Sequence, residues 1–203
     1  VDNKISGAVN IKPFFLSSDL KIERIDLKKI FKNNSIFENL LNSQILNNKN
    51  LSGKINFIIN DVEGINFLDE IKFNILLEEG NIYINDLRTS FKESVNINLD
   101  EVQLIIENNK LTFAGYITLD FIDAMKFYGH YQLDRIDRKN IKKITFGFLF
   151  NFDDKFIEID NLKVDGNTNQ NLEKFINKFN SRKENIFNRI VIRNSIKSFF
   201  KNF

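Results

Sequence analysis

Ile71-Lys72-Phe73-Asn74-Ile75-Leu76-Leu77-Glu78-Glu79-Gly80-Asn81-Ile82-Tyr83-Ile84 decides the fold class. Ile71, Phe73, Ile75 and Leu77 alternate with Lys72, Asn74, Leu76 and Glu78. One set points to a core and the other mainly to water, as a half-buried strand requires. Glu79-Gly80-Asn81 reads as a turn, and the alternation resumes at Ile82 and Ile84. Two alternating runs joined by a short Gly-bearing turn predict a β-hairpin.

The same period extends in both directions. Val95, Ile97 and Leu99 form one set and Val102, Leu104 and Ile106 the next, ended by Glu107-Asn108-Asn109-Lys110. Leu111, Phe113, Ile117, Leu119 and Phe121 form a longer run with Gly115 in register, and Phe127, Tyr131 and Leu133 share a face with Gly129. The strongest run is Ile144, Phe146, Phe148, Phe150 and Phe152, against Thr145, Gly147, Leu149 and Asn151. Asp153-Asp154-Lys155 turns the chain, and Ile157, Ile159, Leu162 and Val164 follow. Upstream, Ser6-Gly7 precedes Val9 and Ile11, then come Leu20, Ile22, Ile25 and Leu27, and Ser52-Gly53 precedes Ile55, Phe57 and Ile59. About ten such runs, with no long helix between most of them, predict meandering antiparallel pairing rather than βαβ units.

Two stretches read as helix. Ser35-x-x-Glu38 is a capping-box pattern, and Phe37, Leu40, Leu41 and Ile45 follow it at helical spacing, which predicts a helix near 36–46. Leu172, Phe175, Ile176 and Phe179 are spaced i, i+3, i+4, i+7, and after a break at Ser181 a second pattern runs through Ile186, Ile190, Ile196, Phe199, Phe200 and Phe203. The boundary between sheet and tail falls at Gly166 to Gln170. Arg189, Arg193, Lys197 and Lys201 recur every four residues and form one basic stripe on a helix. Such a tail either packs its apolar side over one end of the sheet or lies on an anionic membrane or a partner.

Composition narrows the chemistry. The chain has 203 residues, 22 Phe, no Trp, one Pro and no Cys, and its 29 Lys and Arg against 27 Asp and Glu leave a formal charge of +2. That balance does not trap nucleic acid, and the Phe alternate with Lys on opposite strand faces, so base stacking is not expected either. Without Cys there are no disulfides, thiolate metal sites or Cys nucleophiles. No apolar run reaches the roughly 18–20 residues that span a bilayer. His130 is the only histidine and reads as a surface residue on a strand beside Lys126, Tyr128 and Gln132. Asp153-Asp154 reads as a solvated turn, and Asp120 and Asp123 have nothing to gather them at His130. No P-loop, dinucleotide fingerprint, zinc-protease helix or nucleophile elbow occurs, so no enzyme, metal or cofactor is expected.

Several segments, in order, resemble the C-terminal region of the AsmA family of bacterial envelope proteins. They are Ser6-Gly7-Ala8-Val9-Asn10-Ile11, then Leu20-Lys21-Ile22-Glu23-Arg24-Ile25-Asp26-Leu27, then Leu51-Ser52-Gly53-Lys54-Ile55-Asn56-Phe57 after the short helix, then Glu79-Gly80-Asn81-Ile82-Tyr83-Ile84-Asn85-Asp86-Leu87. The resemblance covers roughly residues 1–130. It implies a repeating β-groove of the bridge-like lipid-transfer type, in which strands curl into an open trough with an apolar interior for acyl chains. It also implies a periplasmic protein, anchored to the inner membrane in a longer parent chain, that supports outer-membrane lipid supply or assembly.

A sheet with one apolar face must cover it with a second sheet, by closure, or with a ligand. The resemblance favours the last. The expected fold is therefore mainly β, a curled antiparallel meander open as a groove over 1–166, with a basic amphipathic helical tail over 167–203. Phe73, Ile75, Ile97, Leu104, Phe113, Ile117, Phe146, Phe148 and Phe150 are the expected acyl-chain wall. Arg189, Arg193, Lys197, Lys201, Phe199 and Phe200 are the expected surface toward an anionic membrane or an envelope protein. The alternative is a closed β-sandwich that acts as an assembly factor and binds an envelope protein through its tail, with no lipid inside.

Overall fold

The computed structural model describes residues 3–12, 14–30, 39, 43, 45–63, 65, 67–107, 110–151, 154–183 and 188–203. Among these, one nine-stranded sheet follows chain order throughout: β1 (Lys4–Ile11), β2 (Phe14–Ile25), β3 (Gly53–Val62), β4 (Ile71–Glu78), β5 (Asn81–Phe91), β6 (Val95–Glu107), β7 (Lys110–Phe121), β8 (Lys143–Asn151) and β9 (Ile157–Val164). β1 and β9 are its edges and do not pair, so the sheet is a curled, open meander. A single open sheet is incompatible with the closed sandwich kept above as the alternative.

Every neighbouring pair is antiparallel except β2–β3, which is parallel. This corrects the expectation of antiparallel pairing throughout. Residues 26–52 separate the two strands, and a connection of that length permits the crossover that parallel strands need. Its described residues include the helical turn α1 (Leu27–Ile30) and a 3₁₀ turn at Ile45–Asn47. The helix expected near 36–46 lies largely outside the described residues.

Two further expectations change. Val95–Leu99 and Val102–Ile106 are not two strands but one, β6. The phase change between them is a β-bulge, in which Glu101 and Val102 face Gly115 and Glu101 takes a left-handed φ of 53°. Asp86–Leu87 opposite Phe73 and Asn161–Leu162 opposite Phe146 repeat the device, with φ of 54° at Asp86 and 49° at Asn161. Each extra residue restores the apolar set to the same face and adds local twist, which curls the sheet.

Phe127 to Leu133 is not a strand. Ala124–Tyr131 is helix α2, opened by the Asp123 carboxylate, which accepts from the backbone N–H of Met125 and Lys126. Alternation sends Tyr128 outward, whereas the helix buries it completely and its hydroxyl donates to the carbonyl of Lys139 at 2.6 Å. The tail forms two helices, α3 (Gln170–Arg182) and α4 (Arg189–Asn202). Asn169 caps α3, and α3 ends at Lys183, in the left-handed region.

The strand register puts the apolar residues on one continuous face. Ile5, Leu20, Phe57, Phe73 and Leu87 succeed one another from β1 to β5, and Leu99, Ile117, Phe146 and Leu162 continue to β9. The opposite face carries polar cross-strand pairs such as Asn56–Asp19 (2.7 Å), Asn60–Glu23 (2.8 Å) and Asn74–Asp86 (3.1 Å).

Candidate functional site

Coverage of the apolar face is uneven. At the β4–β5 hairpin end, Leu46 and Leu51 of the β2–β3 connection pack on a cluster that includes Leu77, Ile82, Leu104, Leu111 and Phe150. Asn47 holds the segment there by donating from Nδ2 to the carbonyl of Gly80 at 2.9 Å. At the opposite strand ends, α2 and α4 pack on Phe91, Val95, Ile144 and Val164. Toward β1 the face is bare: Ile5 is 75% exposed and Ile11 78%, with Val9 and Phe14 also exposed.

Between these regions lies a partly enclosed cavity of about 370 Å³. Ile97, Ile117, Leu119, Phe146, Ile157 and Ile159 form its floor on β6–β9. Phe175, Phe179 and Arg182 of α3, with Val191, Ile192, Ser195 and Ile196 of α4, form its roof. Phe67, Phe91, Phe127 and Tyr131 close one side. Only Tyr131, Arg182 and Ser195 bring a polar side-chain group to a lining otherwise apolar. Asn180 pins the roof to the sheet: its Nδ2 donates to the carbonyl of Ile159 and its Oδ1 accepts from the N–H of Ile159, both at 2.9 Å. The two bonds satisfy backbone groups on β9, which would otherwise be an open edge.

The nine expected wall residues all lie on the apolar face, in different surroundings. Ile97, Ile117 and Phe146 line the cavity. Leu104, Phe148 and Phe150 are buried in the hairpin-end cluster, and Phe113 and Ile75 pack against it. Phe73 lies in the barer half and stacks on Phe57 with ring centroids 4.7 Å apart.

The expected surface of α4 is corrected in part. Phe199 and Phe200 do not face a membrane or partner; both are buried, against Phe175 and Tyr128 respectively. Ile190, part of the same apolar pattern, is 69% exposed. Arg189, Arg193 and Lys201 are exposed and Lys197 is half-buried.

His130 is not on a polar strand face. It closes α2, half-buried, with its ring edge-on to Phe91 at 4.9 Å and to Tyr131 at 5.0 Å. Burial depresses its pKa below the usual imidazole value, and Lys92, Arg189 and Arg193 depress it further. Arg193 also donates to the side-chain oxygen of Gln132. Burial pushes the phenols of Tyr128 and Tyr131 up to about 12.

Sequence reasoning missed the cavity's side and roof. Tyr131 was hidden because α2 read as a strand, and Phe91 because it sits at a strand end. Phe175 and Phe179 carried a visible helical spacing, but nothing in it says which strands they cover. Among the described residues no helix is long and apolar enough to cross a membrane. Compared with protein-family models, curated proteins and solved structures, the chain matches none.

Proposed function

We propose that this chain is a lipid-handling module, an AsmA-like β-groove that holds acyl chains on its apolar face and supports outer-membrane lipid supply or assembly. One observation carries the reading: a single sheet keeps a continuous apolar face, bare near β1 and leading toward a cavity of about 370 Å³ under α3 and α4. A monomeric domain normally covers such a face, and a hydrocarbon ligand covers it as well as a second sheet does. Each 100 Å² of apolar surface removed from water is worth about 2.5 kcal/mol. Transfer would be passive, with acyl chains on the wall and head groups at the open rim. Periplasmic location and inner-membrane anchoring rest on the resemblance alone.

The test is photo-crosslinking with benzoyl-phenylalanine at Phe73, on the apolar face, and at Tyr116, exposed on the opposite face. The protein is incubated with radiolabelled phospholipid vesicles. Labelling at 73 and not at 116 is expected. Equal labelling at both sites, or none at 73, sinks the reading.

A further inference from the structure

We propose that the cavity beneath α3 and α4 takes a single-chain anionic amphiphile, with its one acyl chain inside and its acid group at Lys92, Arg189 and Arg193. This rests on the lipid-handling reading and narrows it to one ligand class at one place.

Volume selects the number of chains. An apolar cavity of roughly 150 Å³ accommodates benzene, with six carbons. By proportion, about 370 Å³ holds roughly 15 carbons, which is one acyl chain of ordinary length. A two-chain lipid carries about twice that and does not fit. The lining offers such a chain almost no polar competitor.

Charge selects the head group. Arg189 and Arg193 flank Val191 and Ile192, which line the cavity, and Lys92 follows Phe91, which lines it too. All three cations are exposed, and all three act on His130, whose ring packs edge-on against Phe91 and Tyr131 at the cavity's side. The ion pairs among the described residues join Arg24–Asp61, Lys29–Asp26, Lys72–Glu70, Arg88–Asp86, Lys126–Asp123 and Lys143–Asp120, and include none of the three. Arg189 also opens α4, so the positive end of the helix dipole adds to the same place. A carboxylate or phosphate there stays in water while its chain is buried.

Isothermal calorimetry on the full chain tests this with tetradecanoate, with 1-tetradecanol as the neutral match and with tetradecyl phosphate to separate the two acid groups. Tetradecanoate is expected to bind one to one, and tetradecanol at least tenfold more weakly. In the exposed double variant Arg189→Glu/Arg193→Glu, tetradecanoate weakens at least tenfold while tetradecanol changes less than twofold. Ser195→Phe fills the cavity from α4 and abolishes tetradecanoate binding. Tighter binding of tetradecyl phosphate assigns a phosphate head, and tighter binding of tetradecanoate a carboxylate; either supports the proposal. Equal affinity for acid and alcohol overturns it, as does unchanged binding in Ser195→Phe. If no single-chain ligand binds but Phe73 still crosslinks to phospholipid, this inference fails and the groove stands. If neither occurs, both fail.

Discussion

Phe200→Ala removes the ring that fastens α4 to α2. Phe200 is 2% exposed, and its ring lies 5.1 Å from Tyr128, 4.9 Å from Phe199 and 6.1 Å from Phe127. A buried Phe removes roughly 150–200 Å² from water, worth roughly 4–5 kcal/mol at about 25 cal/mol per Å². Alanine keeps a small part of that burial. The site also borders an existing cavity, so little can collapse to refill it. The expected loss is about 3–4 kcal/mol, within the usual range for such truncations.

Urea unfolding followed by circular dichroism measures the change, and Ile190→Ala on the same helix is the control. Ile190 is 69% exposed, so its truncation should cost under about 0.5 kcal/mol. The midpoint should fall for Phe200→Ala with the slope unchanged. Amide exchange across 189–202 then reports whether α4 opens with the sheet or ahead of it. A loss under about 1 kcal/mol for Phe200→Ala, or equal losses for the two variants, refutes the packing of α4 as the roof.

The same geometry sets further outcomes for two glycines, for Asn180 and for pH. Gly115→Ala sets a Cβ 2.9 Å from a Val102 methyl carbon and 3.0 Å from the Val102 Cα, so urea midpoints should show a loss of about 1–3 kcal/mol; Gly129→Ala, in α2, sets a Cβ that meets nothing within 4 Å beyond its chain neighbours and its own helix backbone, and should gain about 0.5–1 kcal/mol. Asn180→Ala removes both bonds to Ile159 and should cost about 1–3 kcal/mol, with faster exchange at the Ile159 amide in hydrogen-exchange NMR. For pH, the phenols of Tyr128 and Tyr131 rise from 10 to about 12 on folding, so their stabilisation is whole below pH 10 and is lost as pH climbs toward 12, readable as phenolate absorbance at 295 nm rising with unfolding. The His130 shift has the opposite sign. Its folded pKa lies below 6.5, so stability present above pH 6.5 falls as the medium is acidified, and the chain's only imidazole proton signal should titrate below that value.

Most of the sheet was legible because a strand with one buried face must alternate. Ile71–Leu77 and Ile144–Phe150 left no other reading. The bulges were legible only as a change of parity without a turn residue. Between Leu99 and Val102 that change suggests two strands, because acidic Glu101 does not advertise the left-handed backbone it adopts. α2 was lost for a related reason. Phe127 and Tyr131 are four apart, a spacing that satisfies period 2 as well as one helical turn. The deciding facts are the cap at Asp123 and the burial of Tyr128. The parallel β2–β3 pair and the cavity depend on where distant segments meet, and no local period encodes that. The wall residues could therefore be placed on one face but not sorted into floor, hairpin cluster and bare half.

The period-2 pattern is the same at both ends of the sheet, yet Ile5 and Ile11 stay exposed while Ile144 and Val164 are buried. The strands alone do not produce that difference. Helices α2 and α4 reach the β5–β9 half, and the 45–51 segment packs at the hairpin end, on a cluster drawn from β4 to β8. Nine strands at about 4.8 Å spacing span roughly 38 Å, and an α-helix with its side chains is only about 10–12 Å across. Two tail helices laid side by side therefore cover about half of such a face. The remainder needs either another cover or a hydrophobic ligand. On the lipid-handling reading this makes the sheet polar in function as well as in shape: chains meet the wall first where it is bare, near β1 and β2, and are held longest where the tail roofs it. Loosening α4 should then shorten retention at Phe146 without changing crosslinking at Phe73, and that separation is what a uniform groove cannot give.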